Sequence, residues 1–168
     1  MAGALIVTAE MGGEDQAWLN RLRCAHYPAE RNVVPAHLTM FHALPPSSES
    51  EVRSALARIG LEGPPKASID GLLNLGGGVA FRIVSPDLES MRRDLSADFR
   101  GLLSAQDAGG WRPHVTIQNK VTPKIARELL GELEQNFRKR PVVIRGLGLH
   151  RYLDGPWEEI ATYAFRRR

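Results

Sequence analysis

The chain has 168 residues, 43% hydrophobic and 24% charged, the balance of a soluble globular protein long enough for one sizeable core. Lys and Arg outnumber Asp and Glu by 22 to 19, a net charge of +3, which permits an anionic ligand without demanding one. A single cysteine, Cys24, excludes an intrachain disulfide and a cysteine metal cluster, and no stretch approaches the roughly 20 apolar residues that span a bilayer.

In chain order, the apolar run Ala4 to Ala9 predicts a buried first strand, which Gly12 and Gly13 end. Glu14 to Tyr27 carries Ala17, Trp18, Leu22 and Ala25 at helical spacing, with Cys24 read as packing. His37 to Leu44 is the next strand. Pro45-Pro46 stops it, and Ser47 or Ser48 caps a helix over Glu49 to Leu61. A strand from Ala67 to about Leu75 leads into Gly76-Gly77-Gly78. Those glycines fit a hairpin better than a phosphate cradle, because neither G-x-x-x-x-G-K-[ST] nor G-x-G-x-x-G before a helix is present.

Val79 to Val84 is a strand. Pro86-Asp87 opens a helix to about Leu103, with Leu88, Met91, Leu95 and Phe99 inward. Ala105 to Gly110 reads as a loop and His114 to about Val121 as a strand. Thr122-Pro123 starts a helix to about Arg138, with Ile125, Leu129, Leu130 and Leu133 as its apolar face. Val142 to Tyr152 and Ile160 to Phe165 are closing strands around a turn at Asp154-Gly155-Pro156. The order strand, helix, strand, helix, strand thus occurs twice, dividing a single expected domain over residues 1–168 into halves of about 1–78 and 79–168.

Two stretches stand out: His37-Leu38-Thr39-Met40 and His114-Val115-Thr116-Ile117. Successive side chains of a strand point to opposite faces, so each copy sets a histidine beside a threonine on one face and two apolar side chains on the other. Chance placement of 5 His and 5 Thr in 168 residues gives only about 0.15 His-x-Thr occurrences. A single copy would read as a half-buried strand whose polar groups satisfy each other. Two copies, 77 residues apart and each with a proline just upstream, point to a shared site.

The two motifs resemble the H-x-[T/S]-x signatures of the 2H phosphoesterase superfamily, which includes the 2′-5′ RNA ligase-like proteins and the RNA cyclic phosphodiesterases. The resemblance is specific at the motif positions, above all in Arg112-Pro113-His114-Val115-Thr116-Ile117, and architectural elsewhere. It implies an α+β fold of two pseudo-symmetric β-rich lobes with outer helices, the motif strands facing each other across a central cleft. It also implies metal-independent hydrolysis of 2′,3′-cyclic phosphates to 2′-phosphates. The same couple would serve to join a cyclic phosphate to a hydroxyl, the 2′-5′ ligation direction.

The chemistry suits these residue types. Imidazole has an unperturbed pKa of about 6.5, so one ring can take a proton from water while the other gives one to a leaving oxygen. The stiff threonine hydroxyls offer donors to the phosphate oxygens. His37 and His114 are therefore the expected acid–base couple, in either order, and Thr39 and Thr116 the phosphate holders. Phe41 shares strand parity with His37 and could stack on a base or pack in the core. Gln118 and Lys120 share parity with His114, and Gln118 could meet phosphate or a ribose hydroxyl. Arg151 and Tyr152, closing an apolar strand, stand where the resemblance implies ligand contacts, with a surface Arg–carboxylate pair as the alternative.

His42 falls on the opposite face from His37, and neither His26 nor His150 has a partner at ligand spacing, so no metal site and no cofactor are expected. Lys66-Ala67-Ser68-Ile69-Asp70-Gly71 only superficially resembles the K-x-D-G of nucleotide-activating ligases. The expected partners are RNA 3′ ends or nucleotide-like small molecules carrying a cyclic phosphate. The rival readings are a non-catalytic RNA- or nucleotide-binding domain and a cyclic phosphodiesterase of a small sugar or nucleotide metabolite. Arg166-Arg167-Arg168 reads as a solvated tail before an RNA-gripping arm. With no targeting segment visible, a cytoplasmic monomer without membrane contact is expected.

Overall fold

The structure, a computed structural model, describes residues 3–166; Arg167 and Arg168 of the basic tail lie outside them. The elements are β1 (Leu5–Met11), α1 (Gly13–His26), β2 (Leu38–Leu44), α2 (Glu49–Ile59), β3 (Lys66–Asn74), β4 (Val79–Val84), α3 (Pro86–Asp98), the short α4 (Ala105–Ala108), β5 (His114–Gln118), α5 (Pro123–Asn136), β6 (Arg140–Tyr152) and β7 (Trp157–Ala164). Among the described residues no helix is long and apolar enough to cross a membrane.

Every strand pair is antiparallel, and the seven strands form one sheet in the order β2-β1-β6-β3-β4-β5, with β7 on the far side of β6. Helices and antiparallel sheet together make the fold α+β. The long strand β6 joins the two lobes. Its start, Arg140 to Val143, pairs with β3, and its remainder pairs with β1 and β7. Each lobe therefore draws strands from both halves of the chain: β3 joins β4 and β5, while β6 and β7 return to β1 and β2.

The local signals work as stereochemistry requires. In the Gly76–Gly78 hairpin, Gly76 takes φ +85°, and a Cβ on Gly78 would lie 1.9 Å from the Gln118 carbonyl oxygen. Proline opens α3 and α5, and the Ser85 and Thr122 hydroxyls accept from the third residue of each helix. At α2 the expected serine cap is absent: the Ser48 hydroxyl donates instead to the Pro45 carbonyl at 2.6 Å. The segment expected as a loop at 105–110 contains α4, capped by Ser104.

The largest departure from the expected helix faces is in α1. Its buried residues are Asp15, Leu19 and Arg23, while Ala17, Ala25 and Cys24 are exposed. The Asp15 carboxylate accepts from the Val143 amide and from Arg140, and Arg23 donates to Asn32 and to the Thr116 carbonyl. A helix whose inner stripe ends in charges hides from an apolar-periodicity reading. In α5 likewise, Ala126 and Leu129 are buried and Ile125 faces solvent.

Both lobes contribute to one contiguous core, including Leu38, Met40, Val115 and Ile117 from the apolar faces of the motif strands. Phe41 belongs to it as well. The β1–β2 register slips between Thr8↔Thr39 and Val7↔Phe41, a bulge that turns both Met40 and Phe41 inward. Phe41 is fully buried, edge-on to Phe99 at 5.2 Å and beneath the Arg92 guanidinium at 4.6 Å, so it is not a base-stacking platform. Phe41→Ala is expected to cost about 3–5 kcal/mol, read as a lowered urea midpoint at unchanged m-value; an effect confined to substrate KM would contradict its core placement.

Candidate active site

β2 and β5 occupy opposite ends of the sheet path, and the sheet curls so that these ends approach each other. Their polar faces line one cavity of about 380 Å³, into which His37, Thr39, His114 and Thr116 all project. Both motifs are held alike. The His37 Nδ1–H donates to the Pro35 carbonyl at 2.8 Å, and the His114 Nδ1–H to the Arg112 carbonyl at 2.7 Å. A carbonyl can only accept, so each bond fixes the proton on Nδ1 and leaves Nε2 as the reactive nitrogen.

The two rings differ in their surroundings. The Trp157 ring packs on His37 at a centroid distance of 4.5 Å. Burial pushes the His37 pKa down to about 4; the bond to the Pro35 carbonyl opposes this, while Arg23, His150 and His114 add to it. His37 is therefore neutral near pH 7, with an Nε2 lone pair available.

A wall over residues 104–113 closes the cavity. The buried Asp107 carboxylate accepts from the His42 and Ala43 amides and from the His42 ring Nδ1–H at 3.1 Å. Burial raises its pKa, but these donors outweigh that and hold it below the ordinary carboxylate value. Trp111 Nε1–H donates to the Thr39 carbonyl at 3.0 Å, and Arg92 donates to the Met40 and Asp107 carbonyls. Ile6, Gln106, Gly110, Arg112 and Trp157 complete the lining.

The remaining sequence candidates stand elsewhere. Gln118 is buried with its Oε1 unpartnered and does not line the cavity. Arg151 pairs with Glu49 and Glu158, the alternative reading of that residue, and Tyr152 sits half-buried opposite Trp157 in the β6–β7 ladder. His42, placed on the wrong face by simple alternation, enters the cavity because the bulge reverses strand parity beyond Met40. Consecutive Met40 and Phe41 were the signal for that bulge. Nothing in the sequence marks Asp107, Trp111 or Trp157. His150 is spent structurally: the Thr8 hydroxyl donates to Glu10 and so accepts from His150 Nε2–H at 3.0 Å. Among the described residues no cluster of three or more His, Cys, Asp or Glu is placed to hold a metal ion.

An antiparallel α+β fold that carries two His-x-Thr strands to one cavity is the arrangement expected of the 2H phosphoesterase class. The family model of the 2′-5′ RNA ligase superfamily matches residues 13–156, and the chain belongs to that superfamily. Among solved structures, TT0787 of Thermus thermophilus is similar with a TM-score of 0.67 at 18% identity, over 97% of this chain and 98% of that one. E. coli LigT complexed with 3′-AMP gives a TM-score of 0.60 at 14% identity, over 99% of this chain and 100% of LigT, and its NADP+ complex gives the same values. At these identities the likeness is one of fold. In sequence alone, no curated protein matches the chain.

The depressed His37 pKa has a consequence for stability. The folded state takes up this proton only near pH 4, whereas the unfolded chain takes it up near the ordinary histidine value of 6.5. Stability is therefore unaffected above that range and falls as pH drops from about 6.5 to 4, by up to about 3 kcal/mol. Urea midpoints measured between pH 7 and 4.5 should fall more steeply for the native protein than for His37→Gln; parallel curves would refute the assignment.

Proposed function

We propose that the protein is a metal-independent phosphodiesterase that opens 2′,3′-cyclic phosphates, on RNA ends or nucleotides, to 2′-phosphates. The observation that carries this is the pair of His-x-Thr strands lining one cavity, each ring tied back through Nδ1 with Nε2 left for chemistry.

In this mechanism neutral His37 is the base. Its Nε2 takes a proton from water as the water oxygen attacks phosphorus. The P–O3′ bond breaks on the opposite side, and His114 Nε2–H gives its proton to the departing 3′-oxygen, leaving phosphate on O2′. Each water consumed supplies one oxygen to phosphorus, and the net proton count is unchanged. Thr39 and Thr116 donate to the non-bridging oxygens as negative charge grows there. With a 5′-hydroxyl in place of water, the same two proton transfers give 2′-5′ ligation. Nucleotide complexes of LigT support a nucleotide-like ligand for this fold. The cavity volume of about 380 Å³ suits one nucleotide better than a long polymer, which keeps small cyclic phosphates among the substrates.

His37→Ala and His114→Ala should each lower kcat by roughly 10²–10⁴-fold, and Thr39→Val or Thr116→Val by about 10²-fold. The assay is hydrolysis of nucleoside 2′,3′-cyclic phosphates in the presence of chelator, with the 2′- and 3′-phosphate products separated. A 3′-phosphate product, loss of turnover on chelation, or full activity in both histidine variants would overturn the reading. Binding of cyclic phosphate without turnover would favour the non-catalytic alternative.

A further inference from the structure

The cavity holds more cationic and imidazole groups than one cyclic phosphodiester uses. Such a diester carries a single negative charge, and the two His-x-Thr pairs already supply its acid, base and hydroxyl donors. His42 and Arg112 remain. The His42 Nδ1–H is fixed on the Asp107 carboxylate, a carboxylate itself anchored by two backbone amides, so His42 presents Nε2 to the open side. It is the third ring in the cavity with Nδ1 tied back, and its side chain is 39% exposed there. Arg112 lines the same cavity, is exposed, and makes no ion pair among the described residues. Arg92, by contrast, is buried and committed to the Met40 and Asp107 carbonyls.

Position along β2 separates His42 from the reacting phosphate, while Arg112 stands at the mouth of the His114 motif, its carbonyl accepting from the His114 ring. Three residues, with a bulge among them, set the His42 backbone about 7–10 Å from that of Thr39. His42 continues along β2 away from both His37 and Thr39, on the side where a second anionic group of the same ligand would reach it. We propose that His42, oriented by Asp107, acts with Arg112 as a specificity contact for a second phosphate of the substrate. That group is either a 5′-phosphate or the internucleotide phosphodiester of a longer end. The inference rests on the cavity's taking a nucleotide cyclic phosphate, as argued above. A guanidinium and an imidazole lining one cavity offer charge-assisted donors to such an anion.

The test compares kcat/KM for adenosine 2′,3′-cyclic phosphate, its 5′-phosphorylated form, and the dinucleotide ending in the same cyclic phosphate, at low salt. The two substrates that carry a second phosphate should be preferred by about tenfold or more, through KM. His42→Asn and Arg112→Gln should each bring that preference close to one, with His42→Gln as a second variant and thermal melting to confirm folding. Preference for only the 5′-phosphorylated form identifies a terminal phosphate, and preference for only the dinucleotide identifies the internucleotide link. Equal kcat/KM for all three substrates, or a preference that survives both substitutions, would overturn the proposal. Absence of turnover on all three would instead overturn the cyclic-phosphate reading. The second contact is then read from the Kd of adenosine 3′,5′-bisphosphate against that of 3′-AMP in native protein and His42→Asn, and equal ratios in the two proteins would overturn it.

Discussion

The candidate site depends on bringing together two strands that no backbone ladder joins. β2 and β5 lie at the two ends of the sheet path, and their approach is held by side chains bonded to strand backbone. Arg23 reaches from α1 to the Thr116 carbonyl, Trp111 to the Thr39 carbonyl, and Arg92 from α3 to Met40. Asp107 accepts the two amides beyond the bulge. An exposed strand edge invites pairing with another chain, and here the segment 104–113 covers that of β2. Each bond to a charged group contributes roughly 1.5–3 kcal/mol net. Their larger effect is geometric, since they fix the spacing and tilt of the two His-x-Thr motifs.

The same need explains why buried charges accumulate behind the cavity. Buried charge is tolerated when its hydrogen-bonding capacity is filled. Arg92 is filled by two carbonyls and the faces of Phe41 and Trp111, and Asp107 by backbone amides and the His42 ring. Asp15 and Arg23 do the same at the two ends of α1, tying that helix to β6 and towards β5. An apolar contact could fill these volumes, but it could not select one register of a strand edge as a directed donor or acceptor does.

Much of this fold was legible because it is written in periodicity and punctuation. The alternation in His37–Met40 and His114–Ile117 placed Leu38, Met40, Val115 and Ile117 in the core and both threonines on the other face, as the burial pattern has it. Proline and glycine marked the starts of α3 and α5 and the β3–β4 hairpin. The site was legible only where it obeys strand period. Phe41 and His42 exchanged faces because a bulge adds a residue that alternation cannot count. Arg151 looked like a phosphate fork, but Glu49 and Glu158, distant in sequence, occupy its guanidinium. Trp111, Trp157 and Asp107 become site residues only through tertiary contacts.

The asymmetry between the two motif histidines is the feature that alternation could least foresee, and the proposed chemistry needs it. Both rings carry the same Nδ1–carbonyl tether, so local sequence makes them equivalent. What separates them arrives from elsewhere in the chain: Trp157 from β7 lies against His37, and the Arg23 guanidinium from α1 carries positive charge near it. Each removes stabilisation from an imidazolium at that position, by excluding water in one case and by like charge in the other. A base that must be unprotonated when substrate arrives is served by such surroundings, whereas an acid would be crippled by them. The duplicated motif thus supplies two identical parts, and in the proposed mechanism the unduplicated surroundings give them different work.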